Sequence, residues 1–272
     1  MSKTTAVTAL KRLVIMGAAL SITMGGVTSA HASSELDKGA KRARELTNPM
    51  SMYEVTTGDP WNAKSCSLGF AGTWKGNENS VAFLTAGHCT TEDDLNNGTK
   101  YYVGPYHSYL QASVKARKWD GGLGKKDYAV IEGEKKQDGA GKFSFGPSNA
   151  MTIDTKYSEY KKGVMKITGI EDPKPGMVVC APLQTNETVK YTDNRQITCG
   201  KIPETDNKTK SGEKWIAETA RIRGGDSGAP VITPEGKAVG IISEQKDQRT
   251  KFVFTAIKDI LEEQPDFKLA VG

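Results

Sequence analysis

Three short signatures in this sequence carry residue types suited to nucleophilic acyl transfer. Thr85-Ala86-Gly87-His88-Cys89 closes an apolar run, and Asp127 heads the apolar run Tyr128-Ala129-Val130-Ile131. Ser227 sits in the glycine-rich turn Gly224-Gly225-Asp226-Ser227-Gly228-Ala229-Pro230. A serine hydroxyl is a poor nucleophile at neutral pH unless a base takes its proton as it attacks. Imidazole suits that task because it titrates near neutrality and can return the proton later. A buried carboxylate fixes the imidazole tautomer and stabilises the imidazolium that forms. Gly225 and Gly228 permit a tight turn in which the amides of Gly225 and Ser227 face one point. Two such donors suit an oxyanion, and each is typically worth about 3 kcal/mol in the transition state.

Each signature has an ordinary explanation when taken alone. A strand-end histidine is usually a partly buried side chain, an aspartate before a strand is usually a turn residue, and Asp93, Asp94 and Asp120 compete for any acid role. Together they run in the order His, Asp, Ser, separated by 39 and 100 positions. That order matches one of the known arrangements of a hydrolytic triad. It reverses the order used by esterases and transferases of the α/β-hydrolase kind, which also want G-x-S-x-G after a strand.

The elements that must position these groups read as strands. Apolar runs of three to seven residues, rich in β-branched and aromatic types, recur at Val81 to Thr85, Tyr128 to Ile131, Val164 to Ile170 and Met177 to Val179. They continue at Pro230 to Ile232, Val239 to Ile242 and Phe252 to Phe254. Polar or glycine-rich loops separate them, including Gly121 to Gly124 and Thr205 to Gly212, which read as solvated. Such spacing predicts an all-β sandwich or barrel. One segment differs: Ile257, Ile260 and Leu261 fall at i, i+3 and i+4 before Pro265, which predicts a short C-terminal amphipathic helix.

The N-terminus reads as a secretory signal over residues 1–32. Lys3, Lys11 and Arg12 precede an apolar stretch from Leu13 to Val27, and Ala30-His31-Ala32 supplies a cleavage pattern. Residues 33–60 are polar and read as a short pro-segment or N-terminal extension. The domain boundaries expected from there are 61–150, 151–255 and a helix with its tail at 256–272. Of the 37 Lys and Arg, three lie in the leader, which holds none of the 32 acids, so the remainder carries a net charge of +2. That balance gives no footprint for nucleic acid or a membrane surface. In an exported chain the four cysteines Cys66, Cys89, Cys180 and Cys199 read as disulfides, with three pairings open. Without a C-x-x-C, and with only His88 and His107 beyond the leader, no metal site or cofactor is expected.

The stretch Cys66-Ser67-Leu68-Gly69-Phe70, followed by Phe83-Leu84-Thr85-Ala86-Gly87-His88-Cys89-Thr90, resembles the streptogrisin-type bacterial members of the chymotrypsin family. The resemblance implies two packed six-stranded antiparallel β-barrels, with His88 and Asp127 from the first and Ser227 from the second. It implies the pairings Cys66 with Cys89 and Cys180 with Cys199, and an oxyanion hole from Gly225 and Ser227. By the match of Val239-Gly240-Ile241-Ile242-Ser243, Ser243 is expected beside Asp127, and Ser243, Glu244 and Gln245 are expected to pair with an extended substrate. The implied activity is that of a secreted serine endopeptidase acting on protein or peptide substrates.

The chain departs from that family in three ways. No Ile-Val-Gly-Gly terminus is present to pair with Asp226, and Ala181 stands where streptogrisins carry an arginine, so Arg221 and Arg223 are the candidate partners of Asp226. Only 33 residues separate Ala32 from Cys66, too few for a separate folding domain, so folding without a pro-domain is expected. Arg221 also stands where a trypsin-like pocket wants an acid, which disfavours Lys or Arg as the substrate residue. The competing function is a protease-fold binding or virulence protein with impaired catalysis.

Overall fold

The chain folds around β-strands, as its short apolar runs require. The computed structural model describes residues 51–54, 65–77, 80–98, 100–103, 110–122, 124–134, 150–152, 164–182, 197–218, 222, 224–247 and 250–272. The leader at 1–32, most of the segment at 33–60, and Arg221 and Arg223 lie outside these residues.

The first sheet contains β1 (Ser51–Glu54), β2 (Ser65–Ser67), β3 (Ala71–Trp74), β4 (Ser80–Thr85), β5 (Lys100–Val103), β6 (Leu110–Lys118) and β7 (Tyr128–Glu134). An eighth strand, β17 (Phe267–Leu269), joins it from the C-terminus, giving the order β17-β3-β4-β7-β6-β5-β1-β2 with antiparallel neighbours throughout. The second sheet contains β10 (Gly169–Ile170), β11 (Val178–Pro182), β12 (Ile197–Lys201), β13 (Trp215–Glu218), β14 (Pro230–Ile232), β15 (Lys237–Lys246) and β16 (Lys251–Ala256). Its path is β12-β11-β14-β15-β16-β13, with β10 running parallel to β15 beside it. A separate hairpin pairs β8 (Ala150–Thr152) with β9 (Val164–Lys166).

The expected architecture of two antiparallel sheet units is present, with eight and seven strands among the described residues rather than six each. Part of the difference comes from the termini. Ser51–Glu54 pairs with β2 and β5, and the tail returns to pair Phe267 with Trp74 on β3. The second barrel's sequence boundary therefore does not end the first sheet, which is completed by residues beyond 256.

Alternation along β4 shows how the core is divided. Val81 and Phe83 point into a cluster inside the first sheet, with Leu68, Val114 and Ile131. Ala82 and Leu84 point the other way, into a cluster with Val130, Ile232, Ile241 and the helix residues Ile257 and Ile260. Period-two side chains that are apolar on both faces mark a strand covered on both sides. A third cluster, including Val179, Val231, Val239, Ile242, Phe252 and Phe254, fills the second sheet. The cluster containing Leu84 and Ile241 thus joins the two sheet units, and the elements bearing the three signatures converge at its edge.

Two short α-helices accompany the sheets among the described residues. The expected C-terminal helix is α2 (Ile257–Glu263), with Ile257 and Ile260 buried. The other, α1 (Glu92–Asn97), starts with a capping box in which the Thr91 hydroxyl accepts from Asp94 N and the Asp94 carboxylate accepts from Thr91 N. No described helix is long and apolar enough to cross a membrane.

Candidate active site

His88 lies in a single 3-10 turn, Gly87–Cys89, immediately after β4. Arg117 on β6 holds that turn: its Nε donates to Gly87 O at 3.2 Å and Thr90 O at 3.1 Å. The bond between Cys66 and Cys89 fastens the same turn to β2. Cys180 and Cys199 are joined across the pair β11 and β12, where they stand opposite each other. Both pairings implied by the resemblance are therefore present. The donor atoms of Cys66, Cys89 and His88 cluster within 4.8 Å, but both sulfurs are bonded to each other, which leaves one imidazole.

Asp127 sits one residue before β7, 1% exposed. Its backbone is gripped from the second sheet: Thr255 Oγ1 accepts from Asp127 N and donates to Asp127 O, both at 3.2 Å. Its neighbours are anchored as well. Lys126 Nζ and Tyr128 Oη donate to the two oxygens of Glu263 on α2 at 2.7 and 2.6 Å. The C-terminal helix thus holds the residues on either side of the acid. Burial and the bond to Glu263 both push the Tyr128 hydroxyl well above its ordinary value, so it stays a donor.

The Asp127 carboxylate faces His88 with both oxygens. Oδ1 accepts from the His88 amide at 2.9 Å, and Oδ2 lies 2.8 Å from His88 Nδ1. Ser243 Oγ also donates to Oδ2, at 2.5 Å. Burial works to raise the pKa of this carboxyl, but the His88 ring, its charge, the Ser243 hydroxyl and the His88 amide outweigh it and hold the group below the ordinary aspartate value. Two of the three rival acids have other partners. Asp94 caps α1 and accepts from Tyr101 Oη at 2.5 Å, and Asp120 pairs with Lys125 at 2.8 Å.

Ser227 is reached by a tight turn with Gly225 at φ 98° and Gly228 at φ 88°. Ser67 clamps the turn from the first sheet: its amide donates to Ser227 O and its hydroxyl to Gly225 O, both at 2.8 Å. A side chain at 228 has no room, because a Cβ there would lie 2.2 Å from Ser67 O and 2.5 Å from Thr85 Oγ1. Gly228→Ala combines that overlap with a left-handed backbone, and is expected to cost about 3 kcal/mol or more of stability. Urea unfolding of the oxidised protein measures it, and an unchanged midpoint would contradict this placement of the turn.

His88, Asp127 and Ser227 line one cleft of about 400 Å³, together with Trp119, Lys214, Ile222, Ser243, Glu244 and Gln245. Ser227 Oγ donates to Ser243 O at 3.4 Å, a long contact that leaves the hydroxyl free to turn. The Trp119 ring stands 6.2 Å from the His88 ring and forms one wall. Residues 243–246 are the end of β15; Glu244 and Gln245 pair with Val253 and Phe252 of β16, while β14 pairs only as far as Ile241. Asp226 is buried behind the turn. Its proposed cations, Arg221 and Arg223, lie outside the described residues.

Sequence reasoning did not single out Lys214 or Thr255. Thr255 carried no local signal, since it ends an ordinary apolar strand. The loop 205–212 beside Lys214 is largely exposed, as expected, yet it is pinned: Thr209 and Ser211 both donate to Gly124 O, and Lys126 N donates to Glu213.

A family model described as a trypsin-like peptidase domain matches residues 69–241, a span that includes His88, Asp127 and Ser227. Among solved structures the chain is similar to Protease A of Thermobifida fusca, with a TM-score of 0.52 and 21% identity over 83% of this chain and 97% of that one. It is also similar to the Nocardiopsis protease NAPase, with a TM-score of 0.51 and 19% identity over 83% of this chain and 98% of that one. No curated protein matches it by sequence.

Proposed function

Since this chain belongs to the trypsin-like peptidase domain family, we propose that it is a secreted serine endopeptidase working through an acyl-enzyme. The observation that carries this reading is the paired contact of Asp127 with the His88 ring and amide, in the cleft that also holds Ser227. Ser227 is the nucleophile, His88 the base that takes its proton, and Asp127 the group that keeps the proton of His88 on Nδ1. The amides of Gly225 and Ser227 stabilise the oxyanion, within a turn whose carbonyls are held by Ser67. In the first step Ser227 Oγ bonds to the substrate carbonyl carbon as its proton passes to His88 Nε2. His88 then returns that proton to the leaving amine, and water repeats the sequence to release the acid.

The substrate lies along residues 243–245 of β15 as an added strand, which gives affinity through backbone bonds. The leader at 1–32 and the two disulfides support export before function.

Labelling with a fluorophosphonate tests the reading. The oxidised protein is expected to take up one equivalent, located by mass spectrometry at Ser227, at a rate that rises with pH as His88 loses its proton. Folded, oxidised protein that takes up none, or a rate flat from pH 5 to 9, would remove the assigned nucleophile or base. The first of these outcomes would favour a binding protein on the same fold.

A further inference from the structure

Lys214 is a buried cation for which the proposed reaction has no use. Its side chain is 1% exposed, yet it ends in the cleft beside the candidate triad. Nζ donates to Ser243 Oγ at 2.9 Å and to Glu244 Oε1 at 2.8 Å. Burying an ammonium is costly unless it is paired and bonded, and here Glu244 supplies the opposite charge. Ser243 links it onward, since the same hydroxyl donates to Asp127 Oδ2, which meets His88 Nδ1. The four side chains form one continuous row of hydrogen bonds.

The direction of that row is fixed at its Lys214 end. An ammonium has donors only, and a hydroxyl has a single proton. Ser243 must therefore accept from Lys214, and its one proton goes to Asp127 Oδ2. A second consequence is electrostatic. Lys214, Ser243 and Asp127 are buried, so a positive charge beside Asp127 opposes the formation of a second one on His88.

We propose that Lys214 is a positioning residue of the triad, orienting the Ser243 hydroxyl toward Asp127 and opposing protonation of His88, with Glu244 as its counterweight. This rests on the serine peptidase reading above. Other charges around His88 stay in place when Lys214 is changed. Arg117 on β6 is paired with Glu92 at the start of α1, and Asp120 with Lys125 in the loop beyond Trp119.

The two members of the pair act on His88 with opposite signs, which separates this role from a merely structural one. Lys214→Met removes a positive charge and leaves Glu244 unbalanced, so both effects favour the imidazolium. Glu244→Gln, at a partly exposed side chain whose amide oxygen can still accept from Lys214, removes a negative charge and disfavours it. The experiment follows the His88 imidazole by NMR titration in the full protein, assigning it as the signal missing from His88→Ala. The titration is expected to move to higher pH by about one unit in Lys214→Met and to lower pH by about half a unit in Glu244→Gln. The double variant returns close to wild type.

Fluorophosphonate labelling is measured alongside, and its rate in Lys214→Met is expected to fall about tenfold at a pH where His88 is neutral in both proteins. Shifts of one sign in both single variants, or none in either, would overturn the proposal. If Lys214→Met does not fold, Glu244→Gln decides alone: a downward shift supports the proposal and an unmoved titration overturns it. A wild type that takes up no fluorophosphonate defeats the peptidase reading instead, while the titration still judges the link from Lys214 to His88.

Discussion

Ser227→Ala is expected to lower kcat by roughly 10⁶-fold and to leave the fold intact. The size follows from removing the hydroxyl that the proposed mechanism uses as its nucleophile. A factor of that order corresponds to about 8 kcal/mol of lost transition-state stabilisation. On the proposed mechanism the remaining rate comes from the Gly225 and Ser227 amides and from binding, which the variant keeps. Stability is expected to change by less than about 1 kcal/mol. Ser227 Oγ makes a long contact to Ser243 O, and the turn itself is held by backbone groups and by Ser67. Peptide hydrolysis, fluorophosphonate uptake and a thermal melt of the same preparation check the three parts. A variant that keeps a tenth of wild-type turnover would show that another group is the nucleophile.

The separation between chemistry and folding in that variant also explains which parts of the molecule were legible in its sequence. His88, Asp127 and Ser227 stood out because their chemistry restricts residue type over short stretches: a histidine at a strand end, an acid before an apolar strand, a serine between glycines. Glycine at 228 reflects a backbone at φ 88° pressed against Ser67 O. The strands were legible for a similar reason, since runs such as Val81 to Thr85 are apolar on both faces and can only be buried. Helix α1 was not anticipated from the sequence, although Thr91 and Asp94 form a capping box at its start.

What supports those residues was written elsewhere in the chain. Lys214 stands in a polar stretch next to an exposed loop, where a lysine ordinarily reads as surface. It is buried because β15 brings Ser243 and Glu244 against it, 29 and 30 positions later. Glu263 gave no sign that it would anchor Lys126 and Tyr128, which lie 137 and 135 positions earlier. The tail after α2 is short, and its return to β3 depends on where α2 ends in space. These are relations between distant segments, and no local pattern encodes them.

Asp127→Asn is expected to lower kcat by about 10⁴-fold at neutral pH, through the tautomer of His88 and not through loss of structure. The hydrogen bonds determine how this happens. Asp127 Oδ1 accepts from the His88 amide, a backbone donor that cannot change role. The asparagine carbonyl oxygen must take that position, which turns its amide nitrogen toward His88 Nδ1 and Ser243 Oγ. Ser243 can rotate and accept. The ring can accommodate a donor only by carrying its own proton on Nε2, and it then cannot take the proton of Ser227. The same carboxylate makes stability depend on acid. Its pKa in the folded protein lies below the ordinary aspartate value, because the bonds from His88 and Ser243 outweigh burial. A depressed value contributes stability that is complete above about pH 4, the unfolded range, and is lost as pH falls through the folded value. Wild type is therefore expected to lose part of its advantage over Asp127→Asn between pH 7 and pH 3. Urea unfolding of both proteins at the two pH values measures this. An advantage that grows in acid would mean that the buried carboxylate opposes folding, and would remove the charged partner on which the proposed role of His88 depends.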